Sequence, residues 1–323
     1  GGLFYGASIM LIAQIYHIGE HYPDGIFWWA MGVLPVAALL ESVLIMMLAM
    51  GLAFTWFFVE SSLNFYPTLF PVFLVALVWF LGRGRQSNIL FLALIAGLGL
   101  WAENTLAWFM SDKPGFQLGA ENVALGVGLF VLFHGLSKWL LEKKKNMLAD
   151  YGTLLGLWVL RFNIITLLIF SFKEPWQALI KTEWHMARLA ITLSLLLSVL
   201  ALWLVYQARK SMVSTVAFAL VLNISLWAVM LVGDRAYGIL FQFADNILLV
   251  GVGIWLIVRG IHSSISHYFY AGVLAILATG LLRYVDLVGD YIGASILFAI
   301  LAAILLLAAK YWKNHHDKAG TIS

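Results

Sequence analysis

His17-Ile-Gly-Glu20-His21 carries the H-x-x-E-H spelling of one class of zinc peptidase. That chemistry needs both imidazoles on one face of a regular helix, a third protein ligand and a metal-bound water for the carboxylate to activate. Here Gly19 interrupts the turn, Tyr22-Pro23-Asp24-Gly25 redirects the chain at once, and no downstream ligand helix follows. The motif therefore reads as two histidines near a helix end, with His17 a hydrogen-bonding residue rather than a metal ligand. His262, His267, His315 and His316 read as solvated, and His134 as a packing residue. No span pairs histidines as a bis-histidine haem would require, and no mid-span lysine is available for a retinal Schiff base. No metal or cofactor is expected.

The remaining candidates are ionisable and amide side chains inside apolar stretches. Charge there costs ~2.5–3.5 kcal/mol on insertion scales and marks function by default. Arg161 sits mid-stretch with Asn163 beside it, Glu103 and Asn104 lie together, Asn223 is central in its stretch, and Gln242, Asp245 and Asn246 crowd one end of another. Arg283, Tyr284 and Asp286 close a further stretch; Gln14, Tyr16 and His17 end the first. One reading gathers Gln14, His17, Glu103, Asp245, Arg283 and Asp286 around a polar cavity with Arg161 at its floor. There an arginine would bind an anionic group, and Glu103, Asp245 or His17 would handle a coupling proton. Arg161 would need a partner, and Glu103 or Asp245 is nearest by depth. The other reading makes the same residues buried pairs that lock helices together, at ~0.6 kcal/mol per hydrogen bond.

The elements that must position these residues follow from composition. Of 323 residues, 63% are hydrophobic and 11% charged, against roughly 45–50% and about 25% in soluble domains. An excess of that size belongs to helices facing lipid. Apolar stretches fall at 1–17, 26–40, 43–59, 66–82, 89–110, 121–140, 149–171, 188–206, 212–232, 239–258, 268–286 and 291–311. The expectation is one integral membrane domain over 1–323, an all-α polytopic bundle of ten to twelve spans. Stretches 26–40 and 43–59, joined by Glu41-Ser42, could instead form a re-entrant pair. With no cysteine, disulfides and thiolate metal sites are excluded, and no basic run with interleaved aromatics points to nucleic acid.

Nearly every second gap is basic. Arg83, Arg85, Lys138, Lys143, Lys144, Lys145, Arg209, Lys210, Arg259, Lys310, Lys313 and Lys318 fall on one side, against Lys113, Lys173, Lys181, Arg188, Arg235 and Arg283 on the other. Short cytoplasmic loops carry the Lys/Arg excess. This predicts both termini in the cytoplasm and the polar residues toward the opposite, outer side. Segment 174–187 is too polar to span; Trp176, Leu179, Ile180 and Trp184 recur at helical spacing, which predicts an amphipathic helix lying flat in the outer interface.

Trp79-x3-Arg83-x3-Ser87, Trp203-x3-Gln207-x3-Ser211 and Trp255-x3-Arg259-x3-Ser263 form a weak internal repeat. Aromatic belts and basic loop edges can produce it without a duplicated ancestor. Gly152-x3-Gly156 and Gly289-x3-Gly293 have the small-x3-small spacing of packed membrane helices.

The opening Gly6-Ala-Ser-Ile-Met-Leu-Ile-Ala-Gln14-Ile-Tyr16-His17, followed by Trp28-Trp29-Ala-x-Gly32-x-Leu34-Pro35, resembles a bacterial family of predicted multi-pass membrane proteins of unknown function. The closing Leu282-Arg283-Tyr284-Val-Asp286-Leu-x3-Tyr-Ile-Gly293-x-Ser295-Ile-Leu-Phe298 is similar to how its members end. The resemblance implies an inner-membrane bundle, supplies no activity, and draws attention to Gln14, Tyr16, His17, Arg283 and Asp286. Members begin with a short segment before the first span, so the start Gly1-Gly2-Leu3-Phe4 reads as trimmed. The functional expectation is a transporter or permease with a periplasm-facing polar site. The alternative is a scaffold or sensor subunit that binds partner membrane proteins or a second copy of itself. An enzyme is disfavoured, since no acid–base–nucleophile set is visible.

Overall fold

The computed structural model describes residues 23–110, 119–143, 146–182, 184, 186–209, 212–232 and 237–288, with isolated positions in 4–11 and 296–310. The described residues form eleven α-helices and no strand: α1 Pro23–Leu39, α2 Val43–Ser62, α3 Phe70–Gly82, α4 Asn88–Met110, α5 Ala120–Leu141, α6 Asn146–Phe170, α7 Lys173–Lys181, α8 Ala187–Gln207, α9 Val213–Leu231, α10 Gly238–Ser263 and α11 Ser266–Val288. Seven of them (α2, α4, α5, α6, α8, α9 and α10) are long and apolar enough to cross a bilayer. The expected spans 26–40 and 66–82 appear as the shorter α1 and α3. The thirteen residues of α3 reach only about 20 Å at 1.5 Å per residue, against the roughly 30 Å of a hydrocarbon core. Stretches 1–17 and 291–311 fall largely outside the described residues.

The helices divide into two compact units, one of residues 1–157 and 183–226, the other of 158–182 and 227–323. In the first, α1 and α2 form a hairpin closed on small residues, with Ala30, Ala37, Ala49 and Ala53 fully buried. Rings of Phe27, Trp56 and Phe73 pack edge and tilted across α1, α2 and α3.

The parallel helices α5 and α8 make the closest association in this unit. Gly128 lies against Ser194 and Leu197, and Gly135 against the backbone of Ala201. Both contacts share an offset of 66 in residue number, so the two helices run in step along their length. Gly152 and Gly156 of α6 both approach Ser137 of α5, whose Oγ donates to Gly152 O at 2.7 Å. These glycines therefore serve packing. Asn223 of α9 closes the α8 face: it accepts from Ser194 Oγ at 2.8 Å and donates to Ser198 Oγ at 3.2 Å.

Charge separates the ends of this unit. At one end Arg85 of the α3–α4 loop donates from Nε to Glu41 Oε2 at 3.0 Å and from Nη2 to the same oxygen, Ser87 N–H donates to Tyr151 Oη at 3.0 Å, and Lys138 Nζ donates to Ser214 Oγ at 3.1 Å. At the other, the phenol of Tyr66 meets the hydroxyl of Thr105 at 2.8 Å, and the carboxylates of Glu103 and Glu121 gather. The alternation of basic and acidic gaps in sequence thus corresponds to two physical ends.

The Arg85 guanidinium holds the exposed Glu41 carboxyl below the usual carboxylate range. A lowered acid stabilises the fold above its unfolded range and loses that contribution as pH falls through its folded value. Melting curves at neutral and strongly acidic pH should show a small acid-sensitive component that Glu41→Gln removes. An unchanged acid profile in that variant would contradict the pairing.

In the second unit α10 and α11 form an antiparallel hairpin that turns at Ser264 in the left-handed region, φ 53°. Gly253 faces Gly272 and Ile276, and Gly260 faces Phe269. Ile164, Leu249, Leu256 and Ala275 form the core. The helix expected over 174–187 runs over Lys173–Lys181 and stops at Thr182, whose backbone is extended. Its apolar face docks on protein: Trp176 stacks on Phe241 of α10 at 5.2 Å and donates from Nε1 to Phe170 O at 2.6 Å.

Candidate functional site

Besides the Asn223 network, three arrangements of polar and charged groups stand out among the described residues. The first joins α4 to the start of α5. Asn122 donates from Nδ2 to Glu103 Oε2 at 2.8 Å and to Glu103 O at 2.9 Å, while its Oδ1 accepts from Gly119 N–H at 3.0 Å. Asn122 thus caps α5 and satisfies Glu103 in one move. Glu121, only 2% exposed, accepts from Met186 N–H at 3.1 Å. Glu103 is therefore tied into a helix-joining network. Sequence reasoning missed Asn122; its signal was an amide three residues beyond Gly119 at a helix start.

The second arrangement lies in the other unit, at the end where α6 gives way to α7. Asp245, 7% exposed, stands on the buried stripe of α10 that continues through Leu249, Gly253, Leu256 and Gly260. Its Oδ2 is enclosed and has no hydrogen-bond partner among the described residues, and Oδ1 of neighbouring Asn246 is in the same condition. Asn246 Nδ2 donates to Ser171 O at 3.2 Å and Gln242 O at 2.8 Å. The Arg283 guanidinium lies over the ring of Phe172, 4.9 Å from its centre. Asn246 and Arg283 therefore meet the same Ser171–Phe172 junction. Carrying the α10–α11 register of Gly253 and Gly260 two turns onward sets Asp245 level with the Gly280–Arg283 turn. Ser171 and Phe172 had no sequence signal, because a backbone carbonyl and a ring acting as a platform leave none.

Arg161 belongs to neither group. It is exposed on α6, with its guanidinium 5.3 Å from the Trp158 ring centre, and no ion pair among the described residues joins it to Asp245. Ten residues separate it from Ser171, about 15 Å along a helix. Gln14, Tyr16 and His17 lie outside the described residues, with the rest of the H-x-x-E-H segment and the closing 289–295 stretch. The Asp286 side chain is also outside them. No group of three His, Asp or Glu residues among the described residues is placed to hold a metal ion.

The third arrangement is shared by two of the three copies of the weak repeat; in the other, Gln207 stands where the cation would be. Arg83 lies over Trp79 at 4.0 Å and Arg259 over Trp255 at 5.1 Å. Lys143 lies over Trp139 at 3.6 Å with the same four-residue spacing, in a helix outside the repeat. A cation folded back onto an aromatic one turn earlier is an interface device, and its recurrence needs no duplication.

Eleven helices and no strand among the described residues, seven of the helices long and apolar enough to cross a bilayer, define a multi-pass helical membrane protein. Residues 1–46 match a family described as a predicted membrane protein (DUF2157), whose function is unknown. The match takes in α1, the Glu41–Ser42 turn and the first residues of α2, which include the opening motif that carried the resemblance. No curated protein and no solved structure matches the chain.

Proposed function

We propose that the chain is a transporter whose binding or coupling step runs through Asp245. The observation that carries this reading is a carboxyl enclosed in a candidate span with one oxygen unpartnered. A buried carboxylate without a partner costs several kcal/mol, a cost removed when a proton or a small cation neutralises it. Glu103, by contrast, is answered by Asn122 and serves as structure. In this reading Arg283, held on Phe172, faces the same junction and sets the local potential. The basic end lies in the cytoplasm of a bacterial cell with both termini there, in keeping with the Lys/Arg excess, and Asp245 belongs to the periplasmic half of its span.

A thermal-shift screen of monovalent cations, small amines and small carboxylic acids on the purified full chain tests this. The expected result is a ligand whose shift disappears in Asp245→Asn and persists in Glu103→Gln. A ligand shift that survives in Asp245→Asn would remove Asp245 from the site.

A second reading, a scaffold or sensor subunit binding partner membrane proteins, draws on Arg161. An exposed guanidinium midway along an apolar helix costs ~2.5–3.5 kcal/mol against lipid, which a polar partner helix would relieve. Loss of co-purifying membrane proteins in Arg161→Leu, with the Asp245-dependent shift intact, would favour it.

A further inference from the structure

Because α5 and α8 run parallel with a constant offset of 66, they also end together. Carrying that offset past Gly135 and Ala201 brings Glu142 and Lys143 beside Ala208 and Arg209. A cleft of ≈ 240 Å³ opens there, lined by Trp139, Glu142, Lys143, Gln207, Ala208 and Arg209. Two cations against one carboxylate leave its lining net positive. Lys144 and Lys145 follow Lys143 in sequence, and Lys210 follows Arg209.

Three features fix the chemistry such a cleft would take. The first is depth: α5 is a candidate span that ends at Leu141 and α8 one that ends at Gln207, so the cleft sits where hydrocarbon gives way to headgroups. The second is Lys143, folded over Trp139 at 3.6 Å, which keeps an amphipathic pair at that level. The third is polarity. Two helix C-termini present partial negative charge; the carbonyls of Trp139, Leu140, Leu204 and Tyr206 accept from the N–H groups that close the helices, while those of Leu141 and Gln207 accept from no backbone N–H among the described residues and favour an outside donor. An anion is held there only by the cations, while the carbonyls favour a ligand that also carries hydroxyls. A phosphate diester bearing hydroxyl groups meets both demands, and basic pockets at helix ends on the cytoplasmic face are where anionic lipid headgroups bind.

We propose that this cleft binds the phosphate of an anionic, hydroxyl-bearing phospholipid headgroup of the glycerol type, from the leaflet at the basic end. The site is separate from Asp245 and does not depend on the transport reading.

Native mass spectrometry of the full chain in neutral detergent tests it, by titrating short-chain phosphatidylglycerol against phosphatidylcholine with the same acyl chains. Wild type is expected to prefer the glycerol lipid. The double variant Lys143→Gln, Arg209→Gln is expected to bind it about 30-fold more weakly, from roughly fivefold per cation near an anionic surface, with choline-lipid binding unchanged. Arg83→Gln removes a cation from the same end outside the cleft and is expected to leave the preference intact. Equal binding of the two lipids by wild type overturns the proposal. So does an equal loss in Arg83→Gln, which would mean general attraction to the basic end. Displacement of the glycerol lipid by stoichiometric inorganic phosphate would assign the cleft to a soluble anion and equally overturn it.

Discussion

Gly272→Ala is expected to destabilise the second unit strongly, while Gly280→Ala, eight residues along the same helix, is expected to leave it unchanged or improve it. A Cβ on Gly272 would sit 2.5 Å from Gly253 O and 2.9 Å from Ile257 N, both backbone atoms of α10. Backbone cannot rotate aside, so α10 and α11 must separate along the seam that also holds Leu249, Leu256 and Ala275. Overpacking of this kind costs ~1–3 kcal/mol, and Gly272→Leu should abolish the hairpin. A Cβ on Gly280 meets nothing within 4 Å among the described residues, and glycine in a helix interior is roughly 0.5–1 kcal/mol worse than alanine. Unfolding of both variants in detergent should give effects of opposite sign. Equal effects would mean that α10 and α11 are not packed in this register.

Asp245→Asn is expected to eliminate coupled uptake in proteoliposomes with no loss of folded protein. The amide keeps the size of the carboxyl and cannot carry a full charge. Since Oδ2 of Asp245 has no partner among the described residues, the exchange removes a buried ionisable group without breaking a hydrogen bond described there. Its melting temperature should match or exceed wild type. Glu103→Gln should behave in the opposite sense. The Asn122 amide donates to Glu103 Oε2 at 2.8 Å, and exchanging an oxygen of that network for an NH2 donor weakens the tie between α4 and α5, so the variant should lose stability and keep uptake. Retained uptake in Asp245→Asn would contradict the assignment of the site.

The helices themselves were legible because hydropathy over about twenty residues is a property of composition. Stretches 43–59, 89–110, 121–140 and 188–206 correspond to Val43–Ser62, Asn88–Met110, Ala120–Leu141 and Ala187–Gln207. The grouping of basic gaps at one end was legible for the same reason. Helix partners were not. Nothing in hydropathy tells α5 to run in step with α8, because the information lies in Gly128 and Gly135 meeting Ser194 and Ala201, residues too small to leave a periodic signal. Depth set Glu103 and Asp245 in the outer part of their stretches and Arg161 at mid-stretch, since it fixes position along the bilayer normal and says nothing about azimuth. Azimuth separates them: Glu103 turns to the cap of α5, Asp245 to the buried seam of α10, and Arg161 to an exposed face beside Trp158. Glu41 escaped notice as a lone carboxylate in a turn, yet the alternation of gaps already set it at the end where Arg85 lies.

The account stands on a carboxyl buried in a candidate span and reached, in the proposed orientation, from the periplasm. Because the chain has no cysteine, Asp245→Cys supplies a single thiol, and its labelling by a small, cationic, membrane-impermeant reagent can be followed in intact spheroplasts and after permeabilisation. The expected result is labelling from outside in intact spheroplasts. A thiol that reacts only after permeabilisation, or not at all under native conditions, would contradict a periplasm-facing site at this position.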